Sequence, residues 1–333
     1  MIGRICRGHR LIVGVVAAMI GGMAGLALPS MAQAQDYPSR SVKIVVPFPA
    51  GGTADVMPRI IADWLSRKWG QAVVVENKAG AAGNIGAEMV ANAEPDGYTL
   101  LSTPQPVLVV NQSLYPKLSF DPSQFVPVVI MARVPTALVV NPAKVPQKSV
   151  AELIAYAKAN PGKLTAANQG NGTTSHLTAE MFKIMAGVKL QNVPYRGSAP
   201  ALQDLISGSV DMMFDNLGVS LALVNGGQLK LLAVATKKRM AALPDVPTLD
   251  ETLPGFESAA WFAIVAPPKT SRQIVAKINA DVNEALHQPE IQDKLAKLSA
   301  EIIGGTPESM AAYMREEVER WAKVIKAAGV KLE

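Results

Sequence analysis

Residues 45–65 read VVPFPAGGTADVMPRIIADWL, and the stretch changes character half-way along. An apolar run that reads as a buried strand meets Pro47, Pro49 and the pair Gly51-Gly52; beyond them Thr53, Ala54 and Asp55 open an amphipathic segment. Strand, glycine turn and helix start follow in the order from which parallel α/β sheets are wound. A helix start leaves its first N–H groups without intrahelical partners, at the positive end of the helix dipole, where an anion is favoured. Ligands of open α/β sheets sit beyond the carboxyl ends of the strands, which is where this turn lies. Asp55 complements the dipole as a structural first-turn acid; beside a bound anion it would repel.

The same alternation runs outward along the chain. SVKIVVPF, AVVVEN, YTLLST and TALVVNP read as strands, rich in valine and bounded by Gly, Pro or Asn. DVMPRIIADWLSRKW and IGAEMVANAE have helical spacing. Farther on, SVAELIAYAKAN is a helix with Ser149 as N-cap, SHLTAEMFKIMAG a helix ended by Gly187, and APALQDLISG a helix stopped by Gly208. KLTAAN, NVPY, VDMMFDN and KLLAVAT are the strands between and after them. The pattern predicts an α/β fold of mostly parallel sheets with helices on both faces. VPVVIMARVPTALVVNPAKVP lacks a helix and reads as extended chain passing between two domains, and the proline-rich segment from Leu243 to Thr270 reads as a second crossing. Two lobes joined by two extended segments form a hinge and a cleft. The expected division is 35–134 plus 256–333 for one lobe and 135–255 for the other.

The N-terminus is read apart from the fold. MIGRICRGHR carries Arg4, Arg7 and Arg10, an apolar run follows, and AQA at 32–34 fits a small-residue cleavage site. Residues 1–34 are expected to be a cleaved signal peptide, which places the protein in the periplasm. Cys6, the one cysteine, leaves with it. Three of the 32 basic residues and none of the 27 acidic ones precede Gln35, so the formal charge falls from +5 to +2. No Lys/Arg stripe suggests nucleic acid, and no later run is apolar enough to span a bilayer.

Four corners share one design: PFPAGGTAD, NKAGAAGNIGAE, NQGNGTTSHLTAE and PYRGSAPALQD each place glycines before a helix start. Tight strand-to-helix turns use glycine without binding anything, so each corner has a purely structural alternative. The third carries more than a turn requires, with Thr173, Thr174, Ser175 and His176 beside Gly170 and Gly172; the fourth adds the guanidinium of Arg196. Enzyme signatures fail. There is no phosphate-cradling G-x-x-x-x-G-K-[ST], no dinucleotide fingerprint and no G-x-S-x-G elbow, and no His pair has metal-ligand spacing. Asp211 and Asp215 fall on one face of VDMMFDN, where paired acids could do acid/base work or cap turns. No catalytic residue, metal or cofactor is expected.

Seven motifs in order, PFPAGGTAD, VENKAGAAGNIGAEMVANAEPDGYTLL, NQSLYPKLSFDP, HLTAEMF, VPYRGSAPALQDLISGSVDMMFDN, LAVATKKRMAALPDVPTLDE and PGFESAAWFAIVAPPKT, span Tyr37 to about Lys326. Together they resemble the tripartite tricarboxylate transporter substrate-binding family, the Bug proteins. The resemblance implies a type II periplasmic-binding-protein fold, two α/β lobes closing on a small carboxylate that is delivered to inner-membrane permease subunits by a monomeric receptor. It places a carboxylate on Ala50, Gly51, Gly52 and Thr53, faced from the other lobe by Gly170, Gly172, Thr173, Thr174 and His176. Tyr195, Arg196 and Asp215 lie near, and Phe48 and Thr103 complete the expected site. Two departures stand out. Pro58 falls inside the first helix, where it removes a backbone hydrogen bond and is expected to kink the turn. STPQPVLVVN is apolar where relatives are often more polar, which hints at an aromatic or otherwise less polar acid.

Overall fold

Strand β1 (Val42–Val46) buries all its side chains but one, the continuous run expected of a strand covered on both faces. The computed structural model that shows this describes residues 37–329; the expected signal peptide lies outside the described residues. Helix α1 (Thr53–Trp69) follows, turning Met57, Pro58, Ile61, Ala62 and Leu65 inward at helical spacing. Gly70 ends it in the left-handed conformation, φ 63°. Pro58 sits on the buried face, and the helix runs on through it to Trp69 without a break. Strand β2 (Val73–Asn77) and, after helix α2 (Asn84–Ala91), strand β3 (Thr99–Pro104) both pair with β1 in parallel. The proline-rich run after β3 is helical: a π-helical turn over Pro106–Val110 leads into the short α3 (Asn111–Leu114).

Strand β4 (Val126–Val140) joins the two halves of the sheet. Its first part pairs antiparallel with β9 (Ala259–Ala266) and β10 (Glu301–Gly304), its last part with β7 (Met212–Asn216) and β8 (Lys230–Val234). The change of partner falls between Pro135, opposite Ala259, and Thr136, opposite Asn216. In the far half β5 (Thr165–Asn168) lies parallel to β6 (Gln191–Pro194) and β7. The order across the sheet is β2-β1-β3-β9-β4-β7-β5-β6, with β8 and β10 also paired to β4.

Helices cover both faces of each half. In the near half α1, α8 (Arg272–Leu286) and α9 (Pro289–Ala296) enclose a core with Val42, Ile44, Phe262 and Ile278. The opposite face, with Val45, Val107 and Trp261, is covered by α2 and α10 (Pro307–Ala328). In the far half α4 (Val150–Ala159) and α5 (Thr174–Ala186) pack over Phe182, Phe214 and Phe256, while α6 (Ser198–Ser207) and α7 (Leu217–Asn225) cover Ala167 and Met213. Full burial of each such Val, Ile or Phe contributes about 1.5–3 kcal/mol, so these cores hold the strand ends, and the loops upon them, in place.

Candidate functional site

The parallel strands of both halves end where helices begin, and four helix N-termini meet there. α1 starts after Gly52, α6 after Gly197 and α7 after Asn216, none with a side-chain cap; α5 starts after Thr173, whose hydroxyl accepts from the His176 N–H. Each terminus carries roughly half a positive charge. Between them lies a cavity of ≈ 30 Å³, room for about two water-sized groups. Phe48, Pro49, Gly52, Thr53 and Ala54 wall it on one side, Gln169, Thr173, Thr174, Gly197, Ser198 and Asn216 on the other, with Pro104, Pro106, Ala260 and Phe262 completing it. The lips touch: a Cβ on Gly52 would stand 3.6 Å from Ser198 Cβ, and one on Gly197 3.1 Å from Pro49 Cδ.

Two hydroxyls decide what the cavity can hold. Thr53 Oγ1 and Thr174 Oγ1 are buried and have no hydrogen-bond partner in the protein. A buried polar group left unpaired costs about 1–3 kcal/mol, and these two come from opposite halves to one cavity. Both sit in the first turn of a helix, where the neighbouring N–H groups also lack intrahelical acceptors. The set donates hydrogen bonds and carries positive potential, which suits a small anion. The rest of the wall, Phe48, Pro104, Pro106, Ala260 and Phe262, is apolar.

Some expected residues stand elsewhere than the amino-acid pattern implies. The Gly51 N–H donates to Asp55 Oδ2 at 3.1 Å, so this amide serves the loop and not the cavity. With φ at 94°, Gly51 occupies a conformation that disfavours any side chain. Asp55 in turn accepts from Arg59 Nε (2.9 Å) and Asn77 Nδ2 (2.8 Å), and Asn77 also holds the Phe48 carbonyl. Burial raises the Asp55 carboxyl, but the hydrogen bonds from Arg59, Asn77 and Gly51 outweigh it and hold the group below the usual carboxylate range. It is the structural acid, neutralised by Arg59. Ala50 is exposed at the loop's tip. Thr103 is buried with its hydroxyl on the Pro104 carbonyl at 3.2 Å; Pro104 and Pro106 reach the cavity instead.

In the far half His176 accepts the Gly172 N–H on Nδ1 at 3.0 Å, which turns Nε2 towards Glu180 Oε1, 3.6 Å away. Burial pushes its imidazole below the ordinary value, although Glu180 pulls the other way. The ring braces the loop containing Gly170 and Gly172. Asp215 is buried beneath the cavity, accepting from Gln169 Nε2 (2.5 Å), Ser198 Oγ (2.8 Å) and Ser220 Oγ (2.8 Å). Burial pushes its carboxyl up, against the pull of those donors. Asp211, at the other end of β7, accepts from the Thr165 N–H and hydroxyl, so the two acids form no dyad. Tyr195 donates to Asp204 at 2.7 Å, and burial and that carboxylate push its phenol up to about 12. With Arg196, Gly170 and Gln169 it borders an outer chamber of ≈ 370 Å³.

Gln169, Gly197, Ser198, Asn216 and Phe262 reach the inner cavity without having been singled out. Four of them stand within quoted corner or strand motifs, so the signal was there; Phe262 lies on a crossing strand, and only the sheet's assembly brings it in.

The family profile described as "Tripartite tricarboxylate transporter family receptor" matches residues 57–330. The chain belongs to this receptor family. Protein BugT of Bordetella pertussis is 38% identical over 312 residues, 93% of this chain and 95% of its own. Among solved structures the receptor is similar to R. palustris Rpa4515, solved with adipate, at 41% identity and a TM-score of 0.86, over 89% of this chain and 99% of that one. It is also similar to MatC (Rpa3494) from Rhodopseudomonas palustris, with bound malate, at 34% identity and a TM-score of 0.82, over 87% and 100% of the two chains. The receptor thus has the periplasmic-binding-protein fold of these relatives. Among its described residues no helix is long and apolar enough to cross a membrane.

Proposed function

We propose that this receptor captures a small carboxylate between its two sheet halves in the periplasm and delivers it, as a monomer, to the permease subunits of a tripartite tricarboxylate-type transporter. The observation that carries the reading is that Thr53 and Thr174, whose hydroxyls are buried and unpartnered, wall one cavity ringed by helix N-termini. A carboxylate there accepts charge-assisted hydrogen bonds that offset its desolvation. Relatives solved with adipate and malate support the class of ligand. The ligand site is then Phe48, Gly52, Thr53, Gln169, Thr173, Thr174 and Ser198, with Gly51, His176 and Asp215 positioning it from behind.

The lobes are 35–134 with 256–333, and 135–255, a division supported by the change of partner along β4 at Pro135–Thr136. Donors from both lobes reach the ligand only when they close, so binding selects the closed state. A receptor without catalysis is supported by the acids and His176, which are all engaged by protein partners. Thermal melting against a panel of mono-, di- and tricarboxylates and aromatic acids tests this. A ligand at about 100 times its Kd adds roughly 2.7 kcal/mol, a rise of several degrees. No rise with any carboxylate, and hydrolysis of an ester or phosphate instead, overturns it.

A further inference from the structure

Side chains two apart share one face of a strand. Ala260 and Phe262 of β9 wall the inner cavity, and Ser258, just before β9, continues their row. Its backbone is laddered into place: the Ser258 carbonyl accepts the Thr136 N–H (3.1 Å), and its N–H donates to the Ala235 carbonyl (2.9 Å). Ser258 thus lies where β4 changes partner. Three buried hydroxyls meet there, none of them on the cavity wall: Thr136, Thr178 and Ser258. Thr178 Oγ1 donates to the Thr174 carbonyl at 2.7 Å, and Ser258 Oγ lies 2.6 Å from Thr178 Oγ1 and 3.3 Å from Thr136 Oγ1. A hydroxyl has one proton to give. Thr178 spends its own on the carbonyl, so Ser258 donates to Thr178 and Thr136 donates to Ser258. The chain of bonds runs one way, from β4 past the start of β9 into the first turn of α5, and ends on Thr174. A helix threonine bonding back one turn is common and bends the helix slightly. Here that threonine is itself held by a hydroxyl from another element, in the shortest bond of the three.

Resting on the reading above, we propose that Ser258 is a positioning residue for ligand capture: its hydroxyl fixes the first turn of α5, and with it Thr174, against the wall made by Ala260 and Phe262. By the proposed division Ser258 belongs to one lobe and Thr136 and Thr178 to the other, so the Ser258–Thr178 bond ties the lobes at their boundary. Ser258 acts on the ligand only through Thr174. Its loss therefore weakens every acid alike.

Titration calorimetry with succinate, adipate, citrate and benzoate, on the wild type, Ser258→Ala, Thr174→Val and the double variant, decides the matter. Ser258→Ala should weaken each acid that binds by the same factor, about fivefold. In the Thr174→Val background the same change should cost about twofold at most, because both substitutions act through one hydroxyl. Ser258→Thr retains the hydroxyl and should bind as the wild type does. Thr178→Val breaks the bond from the helix side and should repeat the loss seen in Ser258→Ala. A lower melting temperature with unchanged Kd in Ser258→Ala and Thr178→Val would leave the hydroxyls a purely structural role. Losses that add in full in the double variant would mean that Ser258 does not act through Thr174. Either result overturns the inference while carboxylate capture stands. Absence of binding by all four acids in the wild type removes the carboxylate reading, and the inference with it.

Discussion

Thr53 and Thr174 carry the argument at the scale of single residues, because in the protein alone their hydroxyls stabilise nothing. Replacing either by the near-isosteric valine exchanges an unpaired buried oxygen for a methyl group. The fold should therefore melt no lower, and by the cost of an unpaired group could gain about 1 kcal/mol. Carboxylate affinity should fall by about tenfold for each variant. Calorimetry and melting on the same samples separate the two effects, and a variant that loses stability but not affinity would refute the role. Asp215 is the opposite kind of residue: three donors depend on it. Removing it disturbs Gln169 and Ser198 together and reports on positioning, not on ligand contact.

The loop from Gly170 to Thr173 runs into the first turn of α5, and His176 braces it by accepting the Gly172 N–H. Burial holds its imidazole below the ordinary 6.5, so the folded chain takes up this proton at lower pH than the unfolded chain does. His176's share of stability is thus present above pH 6.5 and lost as pH falls from there through its lower folded value. Asp215 works in the other sense: its raised pKa makes its share complete below its ordinary 3.8 and lost as pH rises. The difference in melting temperature between wild type and His176→Gln, followed from about pH 8 to about pH 5, isolates the first effect and should shrink towards acid. A difference that stays constant would mean that the imidazole does not titrate with unfolding.

Across the whole molecule β4 runs from one half into the other, and its pairing with β9 in the first half is interrupted by bulges at Pro127–Val129 and Ile130–Ala132, which bend and twist strands. Trp261 lies on β9 beside Phe262, which lines the cavity, and its indole N–H donates to Glu317 at 3.1 Å. Closure on ligand should lower the radius of gyration in solution scattering and shift tryptophan emission with the same dissociation constant as calorimetry. A saturating ligand that changes neither would mean that the halves do not move.

What the sequence determined by itself was local. Helix and strand periodicity, the Ser149 cap, the Gly187 and Gly208 ends and the glycine corners follow from neighbours a few residues apart, and the structure has them at those positions. Family motifs in order carried the fold. Which way Gly51's amide, Thr103's hydroxyl, His176 and Asp215 would turn was not legible, because each choice depends on a partner that the chain's path or the sheet's register supplies. Asn77 arrives beside Asp55 only when β2 pairs with β1, and Gln169 and Ser198 reach Asp215 only when β5 lies against β7. Only the tertiary structure decided that two threonines 121 positions apart would wall one cavity with their hydroxyls buried and unpaired. The cost of burying those hydroxyls unpaired is the physical reason to expect a ligand there.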